Sequence, residues 1–124
     1  MTLLVHKEES YKVIGLCMEV HRELGRGLLE VVYKDALEYE FKINRIPYER
    51  EKGYEVQYKD IILPHQFYAD FVVYDNIILE VKATGKIVNE FIKQTLNYIA
   101  IAKSPLGLLV NFGEPSLTYK RLVL

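Results

Sequence analysis

The spacing of apolar residues changes twice along the chain, and these changes constrain the fold more than any other feature of the sequence. Three- and four-residue steps up to residue 44 predict two helices separated at Gly25. From residue 54 the period becomes two, which is typical of strands. Helical spacing then returns once. The predicted helices are 8–24, 28–44 and 87–103, and the predicted strands are 54–58, 67–73, Ile77–Lys82, Leu106–Asn111 and 117–123.

The resulting element order, α-α-β-β-β-α-β-β, predicts an α/β fold with a mixed β-sheet flanked by helices. A buried strand, a helical crossover and a second buried strand predict that Ile77–Lys82 and Leu106–Asn111 lie parallel. The second helix is expected to turn Leu29, Val32 and Tyr33 inward. No linker or repeat interrupts the sequence, so we expect residues 1–124 to form a single domain.

Charge and cysteine content exclude several classes of protein. A net charge of −1 and a pI near 6.3 exclude a strongly basic protein that holds nucleic acid by bulk electrostatics. Cys17 is the only cysteine, so an intrachain disulfide is excluded, and its helical apolar setting predicts a buried thiol. The sequence has neither the apolar core of a signal peptide nor a run long enough to span a membrane. We therefore expect a soluble, cytoplasmic protein without a membrane partner.

Three charged residues, Asp70, Glu80 and Lys82, interrupt strands that otherwise face a core. A three-residue loop at 74–76 would place Asp70 opposite Glu80, with Lys82 on the same face, whereas a two-residue turn would put the carboxylates on different faces. Opposed carboxylates repel each other, and a divalent cation such as Mg²⁺ or Mn²⁺ between them would remove the conflict. The alternative is an ion pair of Lys82 with one carboxylate on an exposed sheet face.

Other polar residues have both a functional and a structural interpretation. Glu30 lies in the first turn of the second helix, where the helix dipole and an i,i+4 pair with Lys34 would also explain it. His21 lies on the apolar stripe of its helix, as a core histidine does. Gln94 and Tyr98 are one turn apart and would otherwise form a half-exposed polar edge.

Together these residues resemble the GxxExxY protein family of the PD-(D/E)XK nuclease superfamily. The naming motif reads Gly27-Leu-Leu-Glu30-Val-Val-Tyr33, and the metal motif reads Asp70 followed by Glu80-Val-Lys82. The resemblance also includes Gln94 to Tyr98 and Asn111-Phe-Gly113, and it covers nearly the whole chain without a missing motif residue. It implies a restriction-endonuclease-like fold.

The resemblance also implies a role for each motif residue. Asp70, Glu80 and the backbone carbonyl of Val81 would hold Mg²⁺, with Mn²⁺ as an alternative, and Glu30 would be a further ligand to the metal or to its water. Lys82 would orient or help deprotonate the attacking water, and Gln94 would position that water or a phosphate oxygen. Residues expected to support or pack around this centre are His21, Tyr33 and Tyr98.

The sequence thus predicts a metal-dependent nuclease that hydrolyses phosphodiester bonds of nucleic acid, with DNA favoured over RNA. The alternative is a non-catalytic module or subunit that keeps the nuclease fold and binds a protein or a nucleic acid. An exposed final strand or an apolar helix face would allow a homodimer.

Overall fold

The computed structural model describes residues 6–124 and contains the predicted elements in the predicted order. The helices are α1 (Lys7–Leu24), α2 (Glu30–Ile43) and α3 (Asn89–Ala102). The strands are β1 (Tyr48–Tyr58), β2 (Ile61–Val73), β3 (Ile77–Lys82), β4 (Leu106–Asn111) and β5 (Thr118–Leu122). The first two strands begin earlier than the alternation of apolar residues predicted. Together they form a long hairpin, because β1 and β2 pair along most of their length.

The five strands form one mixed sheet in the order β1-β2-β3-β4-β5. β3 and β4 are parallel and α3 connects them, which confirms the predicted crossover, whereas all other neighbouring pairs are antiparallel. Between β2 and β3, Val73 pairs with Ile77. The connection is therefore the three-residue loop, in which Tyr74 and Asp75 adopt positive φ angles of 52° and 62°.

Two apolar layers cover the sheet. The larger core packs α1 and α2 against one face, where Tyr33, Phe41 and Phe71 are completely buried. The smaller core packs α3 against the other face through Ala69, Val72, Ile78 and Ile99. All residues of β3 from Ile77 to Val81 are buried, so β3 is a central strand covered on both faces.

Individual burial predictions had mixed outcomes. Cys17 is completely buried, as predicted, and burial raises the pKa of its thiol. The inward orientation of Leu29 and Val32 was wrong, since both side chains are exposed. The reason is that α2 begins only at Glu30, which leaves Leu29 in extended backbone, and the buried stripe consists of Tyr33, Leu37 and Phe41. Within residues 6–124, no helix has the length and apolarity needed to cross a membrane.

Candidate metal centre

The candidate centre lies where the regular pairing of β2 and β3 ends. The backbone ladder runs from Val73–Ile77 to Phe71–Leu79, and side chains continue it. The Asp70 N–H donates to Glu80 Oε2 at 2.8 Å, and the Val81 N–H donates to Asp70 Oδ2 at 2.8 Å. Each carboxylate thus accepts a backbone N–H of the opposite strand. This exchange holds Asp70 and Glu80 together in fixed orientations.

The two carboxylates line a cavity of about 300 Å³. The cavity is lined by every residue whose side chain the resemblance gives a direct role: Glu30, Asp70, Glu80, Lys82 and Gln94. Tyr98 also lines the cavity, next to Phe67, whose ring meets the tyrosine ring edge to face at 6.2 Å. The structure therefore brings together residues that are up to 68 positions apart in the sequence, and the remaining lining residues are Tyr68 and Asn97.

Glu80 is in an environment that disfavours its charge. Its burial, and then the negative charge of Asp70, raise the pKa of the Glu80 carboxyl to about 8. The hydrogen bond from the Asp70 N–H and the charges of Lys82 and Lys34 act in the opposite direction but do not restore the ordinary value. Burial and the neighbouring carboxylate therefore disfavour the anionic form of Glu80, and a bound cation would favour it.

A lysine that the sequence analysis assigned only to a helix-surface pair contacts this centre. Lys34 Nζ lies 2.9 Å from Asp70 Oδ1, 2.8 Å from Glu51 Oε1 and 3.8 Å from Glu30 Oε2. The predicted Glu30–Lys34 pair is therefore present, but it is the longest of the three contacts. Burial by itself would lower the pKa of Lys34, but hydrogen bonds to Glu51 and Asp70 raise it above the ordinary value.

Glu51 was also missed by the sequence analysis, because the first strand was predicted to begin only at residue 54. In the structure it lies on β1 between the pairs Arg50–Phe71 and Lys52–Ala69, so it stands opposite Asp70. Its φ angle of 53° is unusual for a non-glycine residue in a strand. Its position follows from the long register of the β1–β2 hairpin, which no local pattern in the sequence indicated.

Glu30 faces the same cavity from the start of α2. Burial and the charge of Asp70 raise the pKa of its carboxyl. Its side chain is 41% exposed, and its ionic contact is with Lys34. In the part of the chain that the structure describes, no three His, Cys, Asp or Glu side chains are grouped closely enough to hold one metal ion. Direct coordination by Glu30 therefore stays a prediction.

Lys82 and Gln94 form the opposite wall of the cavity. Lys82 Nζ donates to Gln94 Oε1 at 3.4 Å and lies 4.7 Å from the centre of the Phe91 ring. The aromatic face and the amide oxygen both favour a cation at this position. The two residues come from β3 and α3, so the parallel crossover is what brings them together.

His21 and Tyr33 do not line the cavity, and their contacts are with the turn after α1, with Phe112 and with Glu114. The Tyr33 hydroxyl donates to Gly25 O at 2.7 Å and accepts the Leu28 N–H at 3.2 Å, while its ring stacks on Phe112 at 4.6 Å. These bonds close the turn between α1 and α2, in which Gly27 has a φ of 102° that strongly favours glycine. The turn places Glu30 at the start of α2. His21 Nε2 lies 2.9 Å from the Glu114 carbonyl oxygen, which is also a structural contact.

The residues that end β4 fix the loop after Lys82. Asn111 Oδ1 accepts the N–H groups of Thr84 and Gly113, and its Nδ2 donates to Thr84 O and to Glu114 Oε2. A Cβ atom on Gly113 would lie 2.1 Å from Thr84 O, so no side chain fits there. The Asn-Phe-Gly motif is therefore explained by its contacts with the loop that leaves the candidate centre.

Comparison with known proteins identifies the superfamily of the chain. The family model of the PD-(D/E)XK nuclease superfamily matches residues 7–122. The chain belongs to that superfamily, and the restriction-endonuclease-like fold is confirmed, while the narrower resemblance to the GxxExxY family stays a prediction. No curated protein sequence matched.

One solved structure with the same fold is described as "Crystal structure of SSO0001". It superposes with a TM-score of 0.59 at 18% identity and covers 74% of this chain. The chain spans about half of that protein, since the match covers 48% of it. At this identity the likeness concerns the fold alone.

Proposed function

We propose that the protein is a metal-dependent nuclease that hydrolyses phosphodiester bonds, with DNA as the favoured substrate over RNA. The observation that carries the proposal is the interlocked pair of Asp70 and Glu80 in a polar cavity that also contains Lys82 and Gln94. Membership of a nuclease superfamily supports the same chemistry.

The residues present fit a divalent cation. Mg²⁺ binds oxygen ligands and is commonly held by one or two carboxylates, with water and substrate phosphate completing its shell. Asp70 and Glu80 supply two such carboxylates, and both line the same polar cavity. The Val81 carbonyl would be a third oxygen ligand. Mn²⁺ takes the same ligands and would serve as well.

When bound, the cation would acidify a water molecule and offset negative charge on the phosphate. The protein's own contribution is to hold the reacting groups in place. Lys82 is kept at the cavity wall by Gln94 and Phe91, where its ammonium group would orient the attacking water and donate to a phosphate oxygen. Gln94 would position the same water or a phosphate oxygen.

The experiment uses the purified protein with single- and double-stranded DNA and RNA, in Mg²⁺, in Mn²⁺ and in EDTA. The test variant is Asp70→Asn, and the matched control is Asp75→Asn in the exposed loop between β2 and β3. We expect metal-dependent cleavage by the wild type and by the control, and none by Asp70→Asn.

Absence of cleavage by the wild type on every polymer and with both cations would refute the nuclease proposal. Binding of a polymer without cleavage, equally strong in EDTA, would instead support a module that has the nuclease fold without the reaction. Comparison of the four polymers tests the preference for DNA. A folded Asp70→Asn variant, checked by its circular dichroism, makes the loss of cleavage attributable to the centre.

A further inference from the structure

The candidate centre contains a positively charged group of its own. Three adjacent strands carry a carboxylate at the same level of the sheet, namely Glu51 on β1, Asp70 on β2 and Glu80 on β3. The ammonium group of Lys34 reaches this row from α2 and hydrogen-bonds two of its members, Glu51 at 2.8 Å and Asp70 at 2.9 Å. The Lys34 ammonium group therefore already compensates part of the negative charge of these three carboxylates.

Burial and packing hold Lys34 in this position. The side chain of Lys34 is only 11% exposed and that of Asp70 is 13% exposed, so water screens their attraction weakly. The neighbouring residues Tyr33 and Leu37 are completely buried, which anchors the helix that carries the lysine. The ammonium group thus contacts the carboxylates without a large movement of the backbone.

With the Lys34 contact, both oxygens of Asp70 accept a hydrogen bond. Oδ2 accepts the Val81 N–H, and Oδ1 accepts the Lys34 ammonium. A divalent cation bound through Oδ1 would have a like charge beside it, and like charges repel strongly at a site with little water. Glu51 offers Lys34 an acceptor outside the Asp70–Glu80 pair, and Glu30, 3.8 Å away, offers a second one.

We propose that Lys34 is a built-in counter-ion that competes with the divalent cation for Asp70. In the metal-free protein its ammonium group compensates Asp70. When the cation binds, the ammonium leaves Asp70 Oδ1 and stays with Glu51 and Glu30. The affinity for metal is then lower than the two carboxylates alone would give, because each binding event breaks a charged hydrogen bond. The inference rests on the proposed function, in that it takes Asp70 and Glu80 as the metal ligands.

The test compares Mn²⁺ affinity by isothermal titration calorimetry without nucleic acid. The variants are Lys34→Gln, Lys34→Arg and, as a control, Lys42→Gln, which removes the same charge from an exposed position on the same helix. We expect Lys34→Gln to bind Mn²⁺ roughly tenfold or more tightly, since a charged hydrogen bond no longer has to be broken. Lys34→Arg keeps the competing charge and should gain no affinity.

A second measurement uses the wild type and so does not depend on how well the variants fold. Lysine ammonium groups labelled with ¹⁵N are followed by NMR while Mg²⁺ is added to saturation. The Lys34 signal should shift as Asp70 is taken by the cation, while the Lys42 signal stays in place. An unshifted Lys34 signal at saturation would overturn the competition.

The outcomes separate this inference from the proposed function. Equal Mn²⁺ affinity in wild type, Lys34→Gln and Lys42→Gln overturns the competition and leaves the metal site intact. An equal gain in Lys34→Gln and Lys42→Gln also overturns it, because net charge alone would then explain the gain. Failure of both wild type and Lys34→Gln to bind Mn²⁺ overturns the metal site, and the competition with it. Binding by Lys34→Gln alone supports both.

Discussion

Replacement of Glu80 by Gln should stabilise the metal-free protein while it abolishes the proposed cleavage. Glu80 is 5% exposed, and its pKa is raised from an ordinary 4.5 to about 8, first by burial and then by the charge of Asp70. The folded state therefore disfavours the ionised carboxylate. Glutamine has nearly the same shape, can accept the Asp70 N–H through its amide oxygen, and carries no charge.

The size and the pH dependence follow from the two pKa values. A folded pKa above the unfolded one means that the folded protein binds the proton more tightly, so the wild type loses stability as pH rises between them. Below pH 4.5 the carboxyl is protonated in both states, and the variant should gain little. Above about pH 8 the full difference applies, and a pKa shift from 4.5 to about 8 corresponds to roughly 5 kcal/mol.

The assay is urea unfolding in EDTA at several pH values between 4.5 and 9. Glu55→Gln, which alters an exposed carboxylate on β1, is the matched control and should show no comparable gain. Mg²⁺ should then stabilise the wild type and leave Glu80→Gln nearly unchanged, since a ligand stabilises only the state that binds it. A stability difference between Glu80→Gln and wild type that does not grow with pH would refute the reasoning.

Two further predictions concern the loop after β4. Gly113→Ala should destabilise the protein by about 1–3 kcal/mol in urea unfolding, because its Cβ would lie 2.1 Å from Thr84 O. Gly15→Ala, with open space around it, should not destabilise, and equal stability of the two variants would contradict this. Hydrogen bonds, of which that from Thr118 has the largest effect, lower the pKa of Glu114. The wild type should therefore have a higher melting temperature than Glu114→Gln at neutral pH, and this difference should disappear as pH falls below 4.5. An advantage that persists in acid would exclude the depressed pKa as its cause.

Much of the fold follows from the sequence because periodicity reports which residues face a core. The strand–helix–strand unit that ends at Leu106–Asn111 has continuous apolar strands, and such runs occur in buried parallel strands. The start of β1 was harder to locate, since five of the seven residues at 49–55 are charged and only Gly53 and Tyr54 are not. Hairpin pairing with β2, rather than local pattern, makes that segment a strand.

The candidate centre was predictable in part. The three-residue loop, one of two connections that the sequence left open, predicts the pairing of Asp70 with Glu80, and the structure confirms this geometry. The contacts of Lys34 with Asp70 and Glu51 could not be inferred in the same way, because they join elements whose relative placement depends on packing. A local i,i+4 pair with Glu30 already explained Lys34 fully. No pattern in the sequence indicated that its ammonium group also contacts residues of β1 and β2.

The loop between β2 and β3 determines whether the centre exists at all. Side chains alternate between the faces of a strand, so a shift of one residue would move Glu80 to the face opposite Asp70. The three-residue connection prevents this shift, and it requires positive φ angles at Tyr74 and Asp75, where most side chains are disfavoured. The Tyr74 N–H donates to Pro47 O at 2.8 Å, which stabilises the connection from the start of the β1 hairpin. The carboxylate pair is thus defined by a turn that lies outside the cavity and takes no part in its chemistry.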